Sequence, residues 1–430
     1  MFKRPRIRGS GSAGRLFRRV VAASGAIALT TAAQAAGLSL ADAEAMAVSQ
    51  DPSIEAVHSR RAAMEELAVA SAQLPDPVLR TGVMSLPTDT WELGQEPMTQ
   101  VQVGLSQKFP RGRSRELRGE QLRQRSAALG EMSEDQRLAI VLSVREQFLE
   151  VLKQMRLAKI NGEAIEAFSD LADITEDYYA TGRVQQQDVL RAAVELAKVE
   201  DRATRIAQQE EQARARLETW IGAAAYRELE FDWPSLGPPA SLDAINARLA
   251  DHPRIRALHQ EVEAAQTGIE LAEQRFRPEF GVDVTYGGRG GSNMDGSSRP
   301  DLFSIMVMMD LPLFHKNRQD RYKAAALSES SAAAFNRDDV YRRMSSEARM
   351  HVAALDRQRE RLRLFEERLL PDAAFNAEAA FAAYQAALET LTTLMRARIT
   401  EFELQLEYAS LRAEALKTRA RLRYLEGESS

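Results

Sequence analysis

Four segments of the chain alternate between apolar and polar side chains. The alternation is clear in residues 100–109, 279–286 and 302–311, and it is weaker in residues 78–86. Successive side chains of a β-strand point to opposite faces of its sheet, so each segment predicts a strand with one apolar and one polar face. A strand needs about 9–11 residues to cross the hydrocarbon of a membrane. The four lengths fit that requirement, although half-buried strands of a soluble sheet show the same alternation.

The order of these segments predicts two β-hairpins with long loops. The loops Pro87–Thr99 and Gly287–Pro300 are polar, and long polar loops on one side are typical of outer-membrane barrels. No run of 18 apolar residues follows residue 36, so a membrane role would depend on the strands. Four strands cannot close around a channel, and an open sheet edge in lipid leaves backbone groups without hydrogen bonds. We therefore expect the chain to oligomerise, and three copies would give twelve strands.

Two further segments carry apolar residues at alternating steps of three and four, with only Glu210 interrupting the first series, which is a heptad pattern. The first series is Val189, Ala192, Leu196, Val199, Ala203, Ile206, Ala213, Leu217 and Trp220, and the second is Met395, Ile399, Phe402, Leu406, Ala409, Ala413, Leu416 and Ala420. Their partner segments, Ser114–Thr181 and Asn317–Gln385, would each extend about 100 Å as helices. Alanine along the seam and charge on both sides suit a hollow tube. A solid antiparallel coiled coil fits the heptads equally well.

Matching residues recur along the chain at an offset near 200, which indicates two repeats. The matches are Pro52 with Pro253, His58 with His259 and Pro77 with Pro278 at 201 residues, and Tyr179 with Tyr384 and Ala192 with Ala397 at 205 residues. Each half is predicted to contain a first helix that a proline ends near Leu74 or Phe276, then two strands, then two long helices joined by a tight turn. The predicted fold class is mainly α with a small β part, made of repeated long helical hairpins and two β-hairpins.

The predicted domain organisation follows from this repeat. It comprises an export signal in residues 1–35; a first repeat in residues 36–220, with its β-hairpin at 78–109 and its helical hairpin at 113–220; a linker in residues 221–240; a second repeat in residues 241–425, with its β-hairpin at 279–311 and its helical hairpin at 316–425; and a tail in residues 426–430. The linker contains Trp233-Pro234 and Gly237-Pro238-Pro239, which break helices.

The first 35 residues have the features of an export signal. They contain seven Lys and Arg residues and no acid, followed by a mildly apolar run from Val20 to Leu29. The stretch Ala33-Gln34-Ala35 then has a small-x-small cleavage pattern. We predict cleavage after Ala35, and a basic arm that binds nucleic acid is the alternative. Cleavage would change the formal net charge from −5 to −12, and an acidic mature chain argues against nucleic acid as a partner.

The residue inventory argues against a catalytic or metal site. The chain has no cysteine, so disulfides and thiolate sites are excluded. The five histidines are His58, His252, His259, His315 and His351. None has a second ligand at usual metal spacing, and His58 and His259 occupy matching repeat positions, which favours an architectural role. The glycine-rich stretch in residues 287–297 precedes a strand rather than the helix that a phosphate loop needs. We expect no enzyme activity and no cofactor.

The order of elements resembles that of the TolC-like outer-membrane efflux proteins over the whole mature chain. The motifs that carry the resemblance are Leu105-Ser106-Gln107-Lys108-Phe109-Pro110 before the third helix, Tyr179-Ala180-Thr181-Gly182-Arg183-Val184 and Asp188-Val189-Leu190 at the first tight turn, and Tyr384-Gln385-Ala386-Ala387-Leu388 and Leu391-Thr392-Thr393-Leu394 at the second. The resemblance implies a homotrimer in the outer membrane, with a 12-stranded transmembrane β-barrel in lipid and a twelve-helix periplasmic α-barrel. It further implies docking to a periplasmic adaptor (membrane fusion) protein and to an inner-membrane transporter of the resistance-nodulation-division type.

The resemblance also implies that the two tight turns form the periplasmic tip that the adaptor grips. The implied contact residues are Thr181, Gly182, Arg183, Val184, Ala386, Ala387, Leu388 and Glu389. Gly182 can take the left-handed conformation that ends a helix, whereas Ala387 replaces a glycine that is usual in the family. A plain helical turn without a partner is the alternative interpretation.

Four residues near the turns match positions that hold the tip closed in the family. Asp188 and Tyr384 match inter-helix ties, which predicts an Asp188–Tyr384 hydrogen bond that favours the closed channel. Thr393 and Arg396 stand where relatives often place an acidic gate ring, so this chain departs from that pattern.

The cargo is indicated only by methionines and by local resemblance. The methionines in or beside the predicted strands are Met84, Met98, Met306, Met308 and Met309. Thioethers suit soft ions such as Cu(I), although these side chains also suit a lipid- or lumen-facing strand without ligands. The stretch Leu74-Pro75-Asp76-Pro77 through Gln95-Glu96-Pro97-Met98-Thr99 to Ser106-Gln107 resembles the heavy-metal branch of the family. We expect efflux of metal cations, with drug or organic-solute efflux as one alternative and a soluble periplasmic coiled-coil scaffold without a pore as another.

Overall fold

The computed structural model describes residues 37–428, so the expected export signal lies outside the described part of the chain. The first half contains α1 (Leu40–Gln50), α2 (Pro52–Ser71), β1 (Val78–Met84), β2 (Gln100–Phe109), α3 (Ser114–Ala180) and α4 (Gln186–Ile221). The second half contains α5 (Leu242–Leu249), α6 (Pro253–Glu273), β3 (Glu279–Gly288), β4 (Leu302–Asp310), α7 (Gln319–Leu364), α8 (Leu370–Gln385) and α9 (Leu391–Leu425). The two halves therefore have the same order of elements, except that α7 and α8 together take the place of α3.

The first helix of each half differs from the sequence expectation. The sequence predicts a single first helix in each half. The structure divides each of them in two, at Asp51 in the first half and at His252 in the second. Asp51 accepts a hydrogen bond from the backbone N–H two residues later at 2.7 Å, and His252 Nδ1 accepts the equivalent bond at 3.2 Å. A proline follows each of them. Because proline lacks an N–H and disfavours helical conformation in the residue before it, it starts a helix more readily than it continues one.

The long helices also differ between the halves. α3 runs for 67 residues without interruption, as predicted. Its counterpart, predicted as one helix, is divided into α7 and α8 by a π-helical turn at Phe365–Leu369. Pro371 follows that turn and cannot donate to the carbonyl of Glu367. The wider turn accommodates the missing hydrogen bond.

The four strands form one antiparallel sheet in the order β1-β2-β3-β4, so β1 and β4 are its edges. The register places Arg80 beside Gly104, Gly104 beside Thr285 and Thr285 beside Ser304, and these residues share the polar face. The opposite face is apolar and carries Leu79, Val83, Val101, Val103, Leu105, Phe109, Phe280, Val282, Val284, Tyr286, Phe303, Ile305, Val307 and Met309. Nothing in the described chain covers this face, and Val307 is 66% exposed.

The buried core lies along narrow seams between the helices rather than in one central mass. One cluster joins α3, α4 and the linker, a second joins α5, α7 and α9, and a third lies beside the two tight turns. The heptad prediction is confirmed for α4, whose buried residues are Ala192, Val199, Ile206, Ala213, Leu217 and Ile221. In the described residues we find no helix with both the length and the apolarity to cross a membrane.

Candidate functional site: the sheet and the helical tips

An ion pair spans the polar face of the sheet. Arg80 Nη1 on β1 lies 3.2 Å from Asp283 Oδ1 on β3, and Asp283 is only 7% exposed. Gly104 on β2 lies in register between Arg80 and Thr285, and an added Cβ there would lie 2.7 Å from Thr285 Oγ1. Glycine at this position therefore leaves room for the Thr285 side chain. The polar face of the sheet carries charged side chains, and the opposite face carries no charged side chain among its strand residues.

The two loops at the outer end of the sheet are tied to each other. Arg299 Nη1 donates to the carbonyl oxygens of Gly94 and Glu96 at 3.1 and 3.0 Å. Arg289 Nη1 donates to Pro97 O at 3.3 Å. Because both arginines belong to the second loop and all three carbonyls to the first, the two loops behave as one unit.

The methionines divide between the two faces. Met84, Met306 and Met308 lie on the polar face, and Met309 lies on the apolar face. Met84 Sδ accepts a hydrogen bond from Gln102 Nε2 at 3.1 Å. Since β1 and β4 are opposite edges, one copy of the chain does not bring Met84 together with Met306 and Met308.

The histidines that match in the repeat contact neighbouring helical residues. His58 Nε2 lies 3.1 Å from Ser133 Oγ and joins α2 to α3. His259 Nε2 lies 3.4 Å from the Glu263 carboxylate on its own helix. Within residues 37–428 there is no group of three or more His, Cys, Asp or Glu side chains that could hold a metal ion.

The first tip connects α3 to α4 at the end of α3 remote from the sheet, about 100 Å away along the helix. Arg183 N–H donates to Tyr178 O at 2.8 Å, and Gly182 N–H donates to Tyr179 O at 2.9 Å. These two bonds define a Schellman motif, which needs a left-handed residue at its centre. Gly182 supplies it with φ of 74°. Thr181, Gly182 and Arg183 are exposed, and Val184 is half-buried.

The second tip, between α8 and α9, repeats the same motif. Leu388 N–H donates to Ala383 O at 2.9 Å, and Ala387 N–H donates to Tyr384 O at 3.0 Å. The left-handed residue here is Ala387, with φ of 54°. Residues 386–389 are all exposed, and Leu388 is 80% exposed. The predicted tip residues therefore form two solvent-exposed turns of one design.

The structure does not contain the expected Asp188–Tyr384 hydrogen bond. Asp188 instead accepts the Gln185 backbone N–H at 3.4 Å as part of the capping box that begins α4. At its repeat counterpart Thr393 the capping bond runs the other way, because the Thr393 backbone N–H donates to Oγ1 of the N-cap Thr390 at 3.4 Å. Within the described residues Asp188 therefore caps its own helix rather than bonding to Tyr384, and the tie in the closed channel stays a prediction.

Tyr384 is instead buried beneath the second tip. It is 5% exposed, and its ring lies 5.8 Å from the ring of Tyr178 on α3. Its hydroxyl is buried and lies near the Thr175 hydroxyl, which donates to Leu171 O at 2.6 Å. Burial raises the pKa of Tyr384, so the phenol stays neutral.

A tie that sequence reasoning missed joins the two tips. Arg191 on α4 donates to the Thr392 hydroxyl on α9. Arg396, the repeat counterpart of Arg191, is exposed, and its side chain has no hydrogen bond or ion pair within the described chain. No local pattern marks this tie, because its two residues are far apart in the sequence and neither is unusual in a helix.

The linker between the halves is fastened by a buried ion pair that sequence reasoning also missed. Arg419 contacts the Glu426 carboxylate at 3.0 Å and donates to the carbonyl oxygens of Gly237 and Pro238, each at 3.0 Å. Glu426 also accepts the Ala240 N–H at 3.0 Å. The two side chains are 6% and 2% exposed. The end of α9 and the linker are thereby held together.

A second ionic cluster joins α3 to α9 in the same region. Burial by itself would raise the pKa of Glu150, but hydrogen bonds from Lys153 and Lys417 outweigh it and lower the pKa to about 2. Lys417 Nζ lies 2.5 Å from Glu150 Oε2. The cluster is therefore ionised throughout the physiological pH range.

Comparison with known proteins connects this geometry to a family. Residues 244–428 match the outer membrane efflux protein family. A search of the curated proteins gives no match. Among solved structures, a membrane protein from Pseudomonas aeruginosa superposes with a TM-score of 0.76 at 15% identity, covering 90% of each chain. The outer membrane protein VceC from Vibrio cholerae gives 0.75 at 18% identity, covering 90% of this chain and 96% of that one. The open MtrE outer membrane channel of Neisseria gonorrhoeae gives 0.72 at 14% identity, covering 91% and 89%.

These comparisons confirm the resemblance that the sequence motifs indicate. The solved structures establish the fold over nine tenths of the chain, and the family match covers most of the second repeat. The outer-membrane location and the efflux role expected from the motifs agree with that family. The chain thus has the fold of the TolC-like outer-membrane channels, and its second repeat carries the sequence signature of the outer membrane efflux proteins.

Proposed function

We propose that the chain is the passive outer-membrane exit duct of a tripartite efflux pump. The observation that carries this proposal is the sheet, which has one exposed apolar face, one polar face and two edge strands without partners in the described chain. An apolar surface of this extent on a soluble protein marks an interaction site. In hydrocarbon the unpaired edges would leave backbone groups that each cost several kcal/mol.

A trimer in the membrane would remove both problems, the apolar face exposed to water and the unpaired backbone groups of the edge strands. β4 of one copy pairs with β1 of the next, and the closed barrel has twelve strands and no edges. The apolar face then contacts lipid, and the Arg80–Asp283 pair faces the lumen. The long helices of the three copies continue the barrel as a periplasmic tunnel, whose length follows from the 67 residues of α3.

The exposed tips support docking to a periplasmic adaptor, which in turn contacts an inner-membrane transporter. Residues 181–183 and 386–389 are exposed and lie farthest from the sheet. Leu388 offers an apolar contact at 80% exposure, and the guanidinium of Arg183 lies 5.4 Å from the ring centre of Tyr178. An exposed apolar side chain on one turn and a cation on the other suit a protein partner.

The tips also support a gate built from arginines rather than from Asp188 and Tyr384. Arg191 and Arg396 are repeat counterparts, and so are Gln187 and Thr392. Arg191 bonds to Thr392 within one copy. By the same symmetry, Arg396 donates to the Gln187 side chain of the next copy in the closed trimer, and opening breaks that tie.

The proposed cargo is metal cations. Met306 lies beside Asp283 across the β3–β4 ladder, and Met308 follows two residues later on the same polar face. A carboxylate with thioethers offers transient contacts to soft cations such as Cu(I) without a fixed site. In a strain that lacks the chain, copper and silver salts should become more toxic, and complementation should restore resistance. Restored resistance to drugs alone would assign organic solutes instead.

The channel itself is tested by the mass of the mature protein, extracted from outer membranes in mild detergent and measured by light scattering. A particle of three chains that precipitates when detergent is removed supports the proposal. A monomer or dimer that stays in solution without detergent contradicts it and favours a periplasmic scaffold.

A further inference from the structure

A cavity of about 360 Å³ lies where the sheet joins the helices. Its wall is formed by the connection from β2 to α3, by the end of α6 and by the first turn of α7. The charged residues that line it are Arg111, Arg118, Arg275, Arg318 and Glu279. The volume falls within the range of about 300–1,000 Å³ that is usual for small-ligand sites.

The positive charge of this cavity is only partly neutralised. Arg111 forms an ion pair with Asp310, and its Nε lies 3.7 Å from Glu279 Oε2. In residues 37–428, the three other lining arginines have no carboxylate partner. The cavity therefore keeps an excess of positive charge that no group of the described chain offsets.

The polar side chains in the wall are not fully partnered. Gln319 is 3% exposed and lines the cavity, and its side-chain oxygen Oε1, an acceptor, has no hydrogen-bond partner among the described residues. The guanidinium carbon of Arg275 lies over the Tyr322 ring, 3.8 Å from its centre. Ser114 and Gln319 are the first residues of α3 and α7, whose N-terminal ends favour negative charge.

We propose that this cavity binds an anion of the phosphate class. The oxygens would accept hydrogen bonds from Arg118 and Arg318, since planar guanidinium groups match phosphate geometry with paired N–H donors. Glu279 opposes the anion only in part, because Arg111 lies near its carboxylate and three further arginines line the cavity.

The phosphate belongs either to the free anion or to a lipid headgroup. The cavity lies next to Phe109, Phe280 and Met309, which form the last apolar row of the sheet. If the sheet spans the membrane, as proposed above, that level coincides with the headgroups of the periplasmic leaflet. Binding of free phosphate does not depend on that assignment.

The first arm of the test uses inorganic phosphate. The mature protein in maltoside detergent and phosphate-free buffer is titrated by calorimetry, and the double variant Arg118→Gln/Arg318→Gln is compared with it. We expect affinity at least about tenfold weaker in this variant, because both charged donors are lost. The control Arg125→Gln/Arg349→Gln removes the same charge from α3 and α7 outside the cavity and should bind like the unaltered protein.

The second arm uses lipid. The three proteins are placed in nanodiscs of phosphatidylglycerol and phosphatidylcholine, and the lipids that remain bound after extraction are measured by mass spectrometry. Enrichment of phosphatidylglycerol on the unaltered and control proteins, but not on Arg118→Gln/Arg318→Gln, assigns a headgroup. Phosphate binding without lipid enrichment assigns the free anion. If neither probe separates Arg118→Gln/Arg318→Gln from the control, the proposal is overturned.

Folding and assembly are checked on the same samples. Helix content by circular dichroism and particle mass by light scattering must match the unaltered protein. If the double variant does not fold, Arg318→Gln alone, at the exposed start of α7, gives the same comparison. The mass also separates this proposal from the proposed function, because a particle that is not a trimer can still bind phosphate.

Discussion

Gly182 and Ala387 occupy the same left-handed position at the two helical tips, with φ of 74° and 54°. An L-residue with a Cβ pays about 1 kcal/mol or more in this conformation, whereas glycine does not. The second tip is therefore the more strained of two turns with the same hydrogen bonds.

Exchanging these residues should change the stability of the tips in opposite directions. Ala387→Gly should slow amide hydrogen exchange at the second turn about fivefold, which corresponds to about 1 kcal/mol. Gly182→Ala should speed exchange at the first turn by a similar factor. If amide exchange is equally fast at the two turns in both variants, the turns open together, and local strain does not limit their opening.

Arg183→Glu should abolish efflux while trimers persist. The substitution replaces an exposed cation at the proposed docking surface and removes its stacking on Tyr178. Efflux is measured in a strain that lacks the native chain, and assembly is measured by particle mass. Arg205→Glu, which makes the same charge change farther along α4, serves as the control and should retain efflux. Normal efflux in Arg183→Glu would argue against docking at this turn.

The two faces of β4 should respond differently to charge. Val307→Arg places a cation on the apolar face and should destabilise the inserted protein by about 2–4 kcal/mol near the middle of the membrane. Met308→Arg, one residue later on the polar face, should cost much less. Heat-dependent loss of the trimer on electrophoresis reports the difference. Equal losses in the two variants would show that the apolar face does not contact lipid.

Acid should destabilise the contact between α3 and α9 through Glu150. Its pKa is about 2 in the folded chain, below its ordinary value of 4.5. Because the folded state holds its proton less tightly than the unfolded state, the ion pair stabilises the fold fully above pH 4.5, and this stability is lost as the pH falls toward 2. Glu150→Gln should lower the melting temperature at pH 7 and flatten its pH dependence in that window. Glu134→Gln removes an exposed carboxylate of the same helix and should do neither.

Breaking the Arg419–Glu426 pair should be far more damaging than replacing it. Arg419→Met leaves a buried carboxylate without its cation and should cost about 3–5 kcal/mol of unfolding free energy. Replacing both partners, as Arg419→Met/Glu426→Leu, should recover most of that loss. Denaturant unfolding in detergent measures both variants. A double variant as unstable as the single one would show that the carbonyl contacts of Arg419, rather than its charge, hold the linker.

Much of the fold was predictable because its signals are local and periodic. The strand alternation around Val103 and Val284 predicted the faces of the sheet, and the heptads through Val199 and Leu217 predicted the buried seam of α4. The prolines at positions 52, 253 and 371 were also visible, but their effects on the first helices and on α8 were underestimated. In each case the missing N–H of proline decided the outcome.

The functional contacts were less predictable. Asp188 was expected to bond with Tyr384, yet the capping box with Gln185 was readable three residues away. Arg191 and Thr392, in contrast, gave no sign of their contact, because an arginine and a threonine within helices look alike in the sequence whether or not they meet.

By itself, the sequence determined the repeat, the amphipathic strands, the helix seams and the turn positions, since each depends on residues close together in the chain. Only the tertiary structure decided which charges meet. It paired Arg419 with Glu426, satisfied Asp188 within its own helix, and left Arg118 and Arg318 around an open cavity. The physical reason is that periodic burial is set by local spacing, whereas ion pairing depends on distances that exist only after the helices have packed.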